Sequence, residues 1–160
     1  MKKLFSVLAI LFLMGSAKTF ASDTKPVQLS LFKPVQIFNE DTSVKGFRFN
    51  LIYGVNNDVT GLDIGLVNKA KGNVKGLQWG FVNLVDGNFT GWQDGAVNIT
   101  KGSFLGFQSG FYNSAGNMKG LQLGFVNNAG NLEGLQIGLI NINGGKNPFY
   151  ILPIVNFSFK

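Results

Sequence analysis

The segment Gly76-Leu77-Gln78-Trp79-Gly80-Phe81-Val82-Asn83 is one copy of a pattern that decides how the whole chain is read. It returns as Gly61-Leu62-Asp63-Ile64-Gly65-Leu66-Val67-Asn68, as Gly91-Trp92-Gln93-Asp94-Gly95-Ala96-Val97-Asn98, and as Gly120-Leu121-Gln122-Leu123-Gly124-Phe125-Val126-Asn127. Units begin at Gly46, Gly61, Gly76, Gly91, Gly106, Gly120 and Gly134, so the period is 15 residues four times and 14 twice. A fixed period of this kind marks a repeat architecture. Pro26, Pro34, Pro148 and Pro153 all lie outside the repeats, so the stretch 46–147 can donate every backbone N–H to a ladder.

Inside a unit the apolar period is two. Unit positions 2, 4 and 6 are bulky, as in Leu77, Trp79 and Phe81, while positions 1, 3, 5 and 7 carry Gly, Gln, Gly and Val. Alternation of this kind belongs to a strand, and Gly at this density is costly in a helix. Linkers such as Asp86-Gly87 and Thr100-Lys101-Gly102 have the composition of tight hairpin turns. The expectation is an all-β chain with one strand and one turn per unit.

Two architectures use such a unit. In a β-solenoid, each 14–15-residue repeat is one coil and equivalent residues stack. In an antiparallel barrel, each repeat is one strand plus a turn. The recurrence of Asn68, Asn83, Asn98, Asn113, Asn127 and Asn141 favours stacked ladders. The chemistry of the faces favours the barrel. With the bulky face inside a solenoid, Asp94 and Ser109 would sit in the core at a steep desolvation cost. With the Gly/Gln face inside, every coil would expose Trp, Phe and Leu to water. Lipid around a closed barrel removes that conflict.

The leading expectation is therefore an antiparallel up-and-down β-barrel of about eight to ten strands, with the β-solenoid as the alternative. Its lumen would be lined by Arg48, Asp63, Gln78, Gln93, Gln108, Gln122 and Gln136, with Arg48 and Asp63 paired from consecutive strands. Positions 2 to 6 span only about 14–17 Å along a strand, against an apolar band of roughly 25 Å in outer-membrane barrels.

The ends add to the picture. Met1 to Ala21 have a basic start, an apolar stretch and a small-residue exit, as in a removable export signal. The mature chain would be 22–160, a single β-repeat domain. Losing Lys2, Lys3 and Lys18 leaves 11 basic against 8 acidic groups and lowers the net charge from +6 to +3. No basic stripe remains for nucleic acid. Val27-Gln28-Leu29-Ser30-Leu31-Phe32 alternates as a first strand. Val155, Phe157 and Phe159 share one face of a last strand, which resembles the terminal signal of bacterial outer-membrane barrels.

Chemistry is scarce. Without Cys or His there is no thiol or imidazole nucleophile, no disulfide and no ordinary zinc site. The glycines follow the repeat and form no phosphate loop. Asn56-Asn57-Asp58, Asp86-Gly87-Asn88 and Glu40-Asp41 read as solvated turns.

The unit G-L-Q-x-G-φ-V-N, the opening PVQLSLFKPVQIF…VKGFRFNLIYG and the ending PIVNFSF resemble a bacterial family of exported surface-repeat proteins, over essentially the whole mature chain. The resemblance implies an envelope or surface protein and brings no catalytic motif. Together these readings predict a non-enzymatic, exported outer-membrane or cell-surface protein with a structural role, lipid as its partner and no cofactor. The alternative is a secreted or periplasmic solenoid that acts as a binding module.

Overall fold

The computed structural model describes residues 24–159, so the export signal expected over 1–21 lies outside the described residues. Eight strands are present: β1 (Thr24–Phe32), β2 (Val35–Gln36), β3 (Ser43–Asn56), β4 (Val59–Ala70), β5 (Val74–Val85), β6 (Phe89–Asp94), β7 (Val97–Asn143) and β8 (Ile151–Ser158). No helix occurs among the described residues. The expected all-β class is what is found.

The barrel is not. Each unit pairs in parallel with the next, in register at one whole repeat: Gly61 with Gly76, Gln78 with Gln93, Asn83 with Asn98. Antiparallel pairing is confined to the two ends, where β2 folds onto β1 and β8 onto the end of β7. The chain is a β-solenoid with one repeat per coil. The glycine turns expected to reverse the chain instead advance it by one coil. Gly72 N–H donates to Asn57 C=O, Gly87 to Gly72 and Gly102 to Gly87, so turn stacks on turn. A hairpin would have left those groups facing its own second strand.

Ladder pairing passes over position 6 in the middle of the unit, where one unbroken strand was expected. Both halves of a unit pair with the same neighbouring coil, and the Asn at position 8 holds the break together from inside. The Nδ2 of Asn83 donates to the Asp94 carbonyl at 2.8 Å and to Asn98 Oδ1 at 2.8 Å. Asn98 repeats this with the Ser109 carbonyl and Asn113. Two 14-residue coils stack as well as the 15-residue ones because the missing residue comes from the turn. Lys101-Gly102-Ser103 becomes Gly116-Asn117, while Gln108–Gln122 and Asn113–Asn127 still bond.

The interior divides in two. Beside the turns, Val44, Val59, Val74, Phe89, Phe104, Met118 and Leu132 form an apolar column packed on Ala70, Val85, Ala115 and Ala129. Phe89 and Phe104 stack there with centroids 4.8 Å apart and planes within 5°. The rest of the interior is polar, mostly Asn and Gln side chains with one buried charge pair, Arg48 and Asp63.

Candidate functional site

The seven residues expected to line a lumen, Arg48, Asp63, Gln78, Gln93, Gln108, Gln122 and Gln136, are all buried in one column. They stack as a ladder and enclose no channel. Each Gln donates Nε2 to the Oε1 of the preceding coil at 2.7–2.8 Å. The last donor, Gln78, ends on Asp63 Oδ2 at 2.8 Å. A carboxylate has no proton to pass on, so its charge must be met from elsewhere. Arg48 does this through two bonds, Nε to Oδ1 at 2.7 Å and Nη2 to Oδ2 at 2.6 Å. The pairing expected between Arg48 and Asp63 is present, within a solid interior.

The Asn ladder runs the other way. Each Nδ2 donates toward the following coil, from Asn50 through to Asn141. Two amide columns of opposite sense cancel much of each other's dipole along the axis. One rung is built irregularly: β3 carries Asn50 and Gly54 where β4 carries Gly65 and Asn68. Asn50 reaches from the neighbouring position into the gap left by Gly54, and a Cβ on Gly54 would lie 1.7 Å from Asn50 Oδ1. The swap keeps the ladder continuous, and a strict repeat reading missed it.

With the interior taken by amides, the bulky residues point out. Position 2 forms an outward row of nine residues from Val27 on β1, through Phe47, Leu77 and Trp92, to Phe157 on β8. Position 4 forms a second row, including Leu29, Trp79, Leu123 and Val155, and position 6 a third, including Phe81, Phe111 and Phe125. At ~4.8 Å per coil the flank runs roughly 38 Å. Trp79 is 62% exposed, Phe81 60% and Phe111 61%. Monomeric soluble domains rarely present a continuous apolar surface of this size without a use for it.

The opposite edge, formed by the turns, is polar. Lys69 and Lys101 both reach Asp86, at 2.5 and 2.7 Å, and tie three coils together. Those ammonium groups, Lys101 foremost, hold the Asp86 carboxyl below its ordinary range. Lys33 and Lys71 lower Glu40 in the same way, and Asp41 raises Lys71. Lys119 pairs with Glu133 at 2.6 Å. In cross-section the solenoid is amphipathic, with charge on the turn edge and aromatics on the flank.

The flank has one interruption. On the fifth of its nine rungs, positions 4 and 6 hold Asp94 and Ala96, and the next rung holds Ser109 at position 4. Trp92 Nε1 donates to Ser109 Oγ at 3.3 Å, and Ser109 Oγ donates in turn to Asp94 Oδ1. Asp94 and Ala96 break the run of bulky outward groups. Once coils are stacked they become a notch walled by aromatics.

No group of three or more Asp and Glu side chains that could hold a metal ion converges among the described residues. No family model, curated protein or solved structure matches the chain.

Proposed function

We propose that this chain is an exported, non-enzymatic β-solenoid module of the cell envelope that docks its apolar flank on a partner protein. The observation that carries this reading is the in-register outward row of bulky side chains over nine rungs. Their burial on a partner is the favourable term that the free module forgoes. The signal-like segment 1–21 and the resemblance to exported surface-repeat proteins support the location.

Asp94 separates the candidate occupants. Lipid, the partner expected for a barrel, would surround a carboxylate at the middle of the flank with hydrocarbon, at a cost of several kcal/mol. A second copy laid face to face with full overlap would set Asp94 against its own mate across the two-fold axis. A protein that brings a complementary group to that point meets neither objection.

The test is in-cell photo-cross-linking, with a benzoylphenylalanine at Phe125 on the flank or at Asn117 on the turn edge. The expected result is a non-cytoplasmic protein lacking 1–21 that gives one discrete protein adduct from Phe125 and none from Asn117. Adducts from Asn117 alone, lipid adducts alone, or retention in the cytoplasm would each overturn the reading.

A further inference from the structure

We infer that the notch at Asp94 and Ala96 is the specificity element of the flank, a slot that takes an arginine side chain from the docked protein. This rests on the docking reading above and assigns it a chemistry.

Neighbouring rings in the position-6 row lie one coil apart, and Phe111 stacks on Phe125 with centroids 4.9 Å apart and planes 12° from parallel. The same row places Ala96 between Phe81 and Phe111, with the Tyr112 N–H bonded to the Ala96 carbonyl to fix the alignment. Phe81 and Phe111 are therefore two coils apart, roughly 9.6 Å, with only a methyl group between them. One planar group fills that gap at stacking distance from both sides.

Charge narrows the choice. Two residues before Ala96 on the same coil, Asp94 holds its Oδ1 against Ser109. Among the described residues, Asp94 has no ion-pair partner, and Oδ2 receives no hydrogen bond. An aromatic slot with a carboxylate at its side selects a cation. A planar cation with a fork of N–H donors is a guanidinium, which stacks and pairs with a carboxylate at once, whereas an ammonium does only the second. The carboxylate that is a liability toward lipid or a second copy becomes the means of choosing a partner.

The only two tryptophans of the chain, Trp79 and Trp92, adjoin Asp94 on the preceding coil and on its own strand, so intrinsic fluorescence reports on the slot. The probes are acetyl-Leu-Arg-Leu-amide and its citrulline counterpart, which has the same shape and no charge. The expected result is a saturable change with the arginine peptide and at least tenfold weaker binding of the citrulline peptide. Asp94→Asn and Ala96→Phe should each weaken arginine binding at least tenfold with an unchanged β circular dichroism signal. Ala96→Phe only completes a row that already holds Phe81, Phe111 and Phe125, so it folds.

Equal response to both peptides, or full binding by both variants, overturns the slot. If the slot fails while Phe125 still cross-links in cells, docking stands without it. If Phe125 adducts are absent, docking itself falls, whatever the peptides do.

Discussion

At the residue scale, the interior depends on groups that have no room for substitution. A Cβ on Gly110 would sit 1.9 Å from the Gly95 carbonyl oxygen and 2.6 Å from Asn98 Nδ2. The position-1 glycines have φ between +119° and +146° and face the carbonyl of the preceding coil just as closely. These two columns let coils approach until amides bond rung to rung. Among the described residues, the Arg48–Asp63 pair is the one place where charge replaces amide, and both side chains are fully buried. Arg48→Gln alone strands a buried carboxylate and should cost about 3–5 kcal/mol in urea unfolding. Arg48→Gln with Asp63→Gln extends the ladder by two more amides, and its midpoint should return to within about 1 kcal/mol of wild type. A double variant as unstable as the single would show that the charge pair itself is required.

At the element scale, the turn edge is stitched by charge, and its contribution should follow pH. Asp86 is held below its ordinary range in the folded chain by Lys101 and Lys69. A group depressed on folding contributes stability above its unfolded pKa, and that contribution is lost as pH falls through the folded value. Thermal stability should thus be flat from neutral pH down to about 5 and decline below about 4. Asp86→Asn should lower the plateau slightly and flatten the decline, by well under 1 kcal/mol because the pairs sit at the surface, where solvent screens them and Lys101 stays exposed. An unchanged acid limb in that variant would place the acid sensitivity elsewhere, with Glu40 between Lys33 and Lys71 the next group to replace.

On the scale of the whole molecule, the solenoid must end its ladders. At the C-terminal end β8 runs antiparallel to the last coil, with Asn156 opposite Gln136. Asn156 is one methylene shorter than the ladder residue and uses its amide on the Asn141 carbonyl and the Phe157 N–H. Gln136 Oε1 accordingly receives no donor among the described residues. β8 closes the backbone edge and leaves the amide ladder open by one bond. Deletion of residues 147–160 should expose a parallel edge with unpaired amides, which invites end-to-end pairing. Light scattering should record larger, concentration-dependent species for the truncated chain and a single species for the intact one. A truncated chain that stays the size of the intact one would show that β8 is dispensable as a cap.

Much of this was legible in the sequence, and the reason is the repeat. The period located the coils, the two-residue alternation identified strands, and the recurring Asn and Gln are the ladders themselves. The pairing of Arg48 with Asp63 followed from their sharing position 3 in consecutive units. Exposure is where the sequence points the wrong way: bulky outward groups suit lipid, and lipid requires a closed barrel. Alternation states which residues share a face and is silent on whether the next strand runs parallel or antiparallel, because both orders keep that face. Only the stacked turns at Gly72, Gly87 and Gly102 decided the direction, through hydrogen bonds between residues 15 apart. The notch at Asp94 and Ala96 depends on the same stacking. By itself the sequence determined the unit, its two faces and the residues in each column. The tertiary structure decided that columns lie one coil spacing apart, which places a missing ring beside a carboxylate.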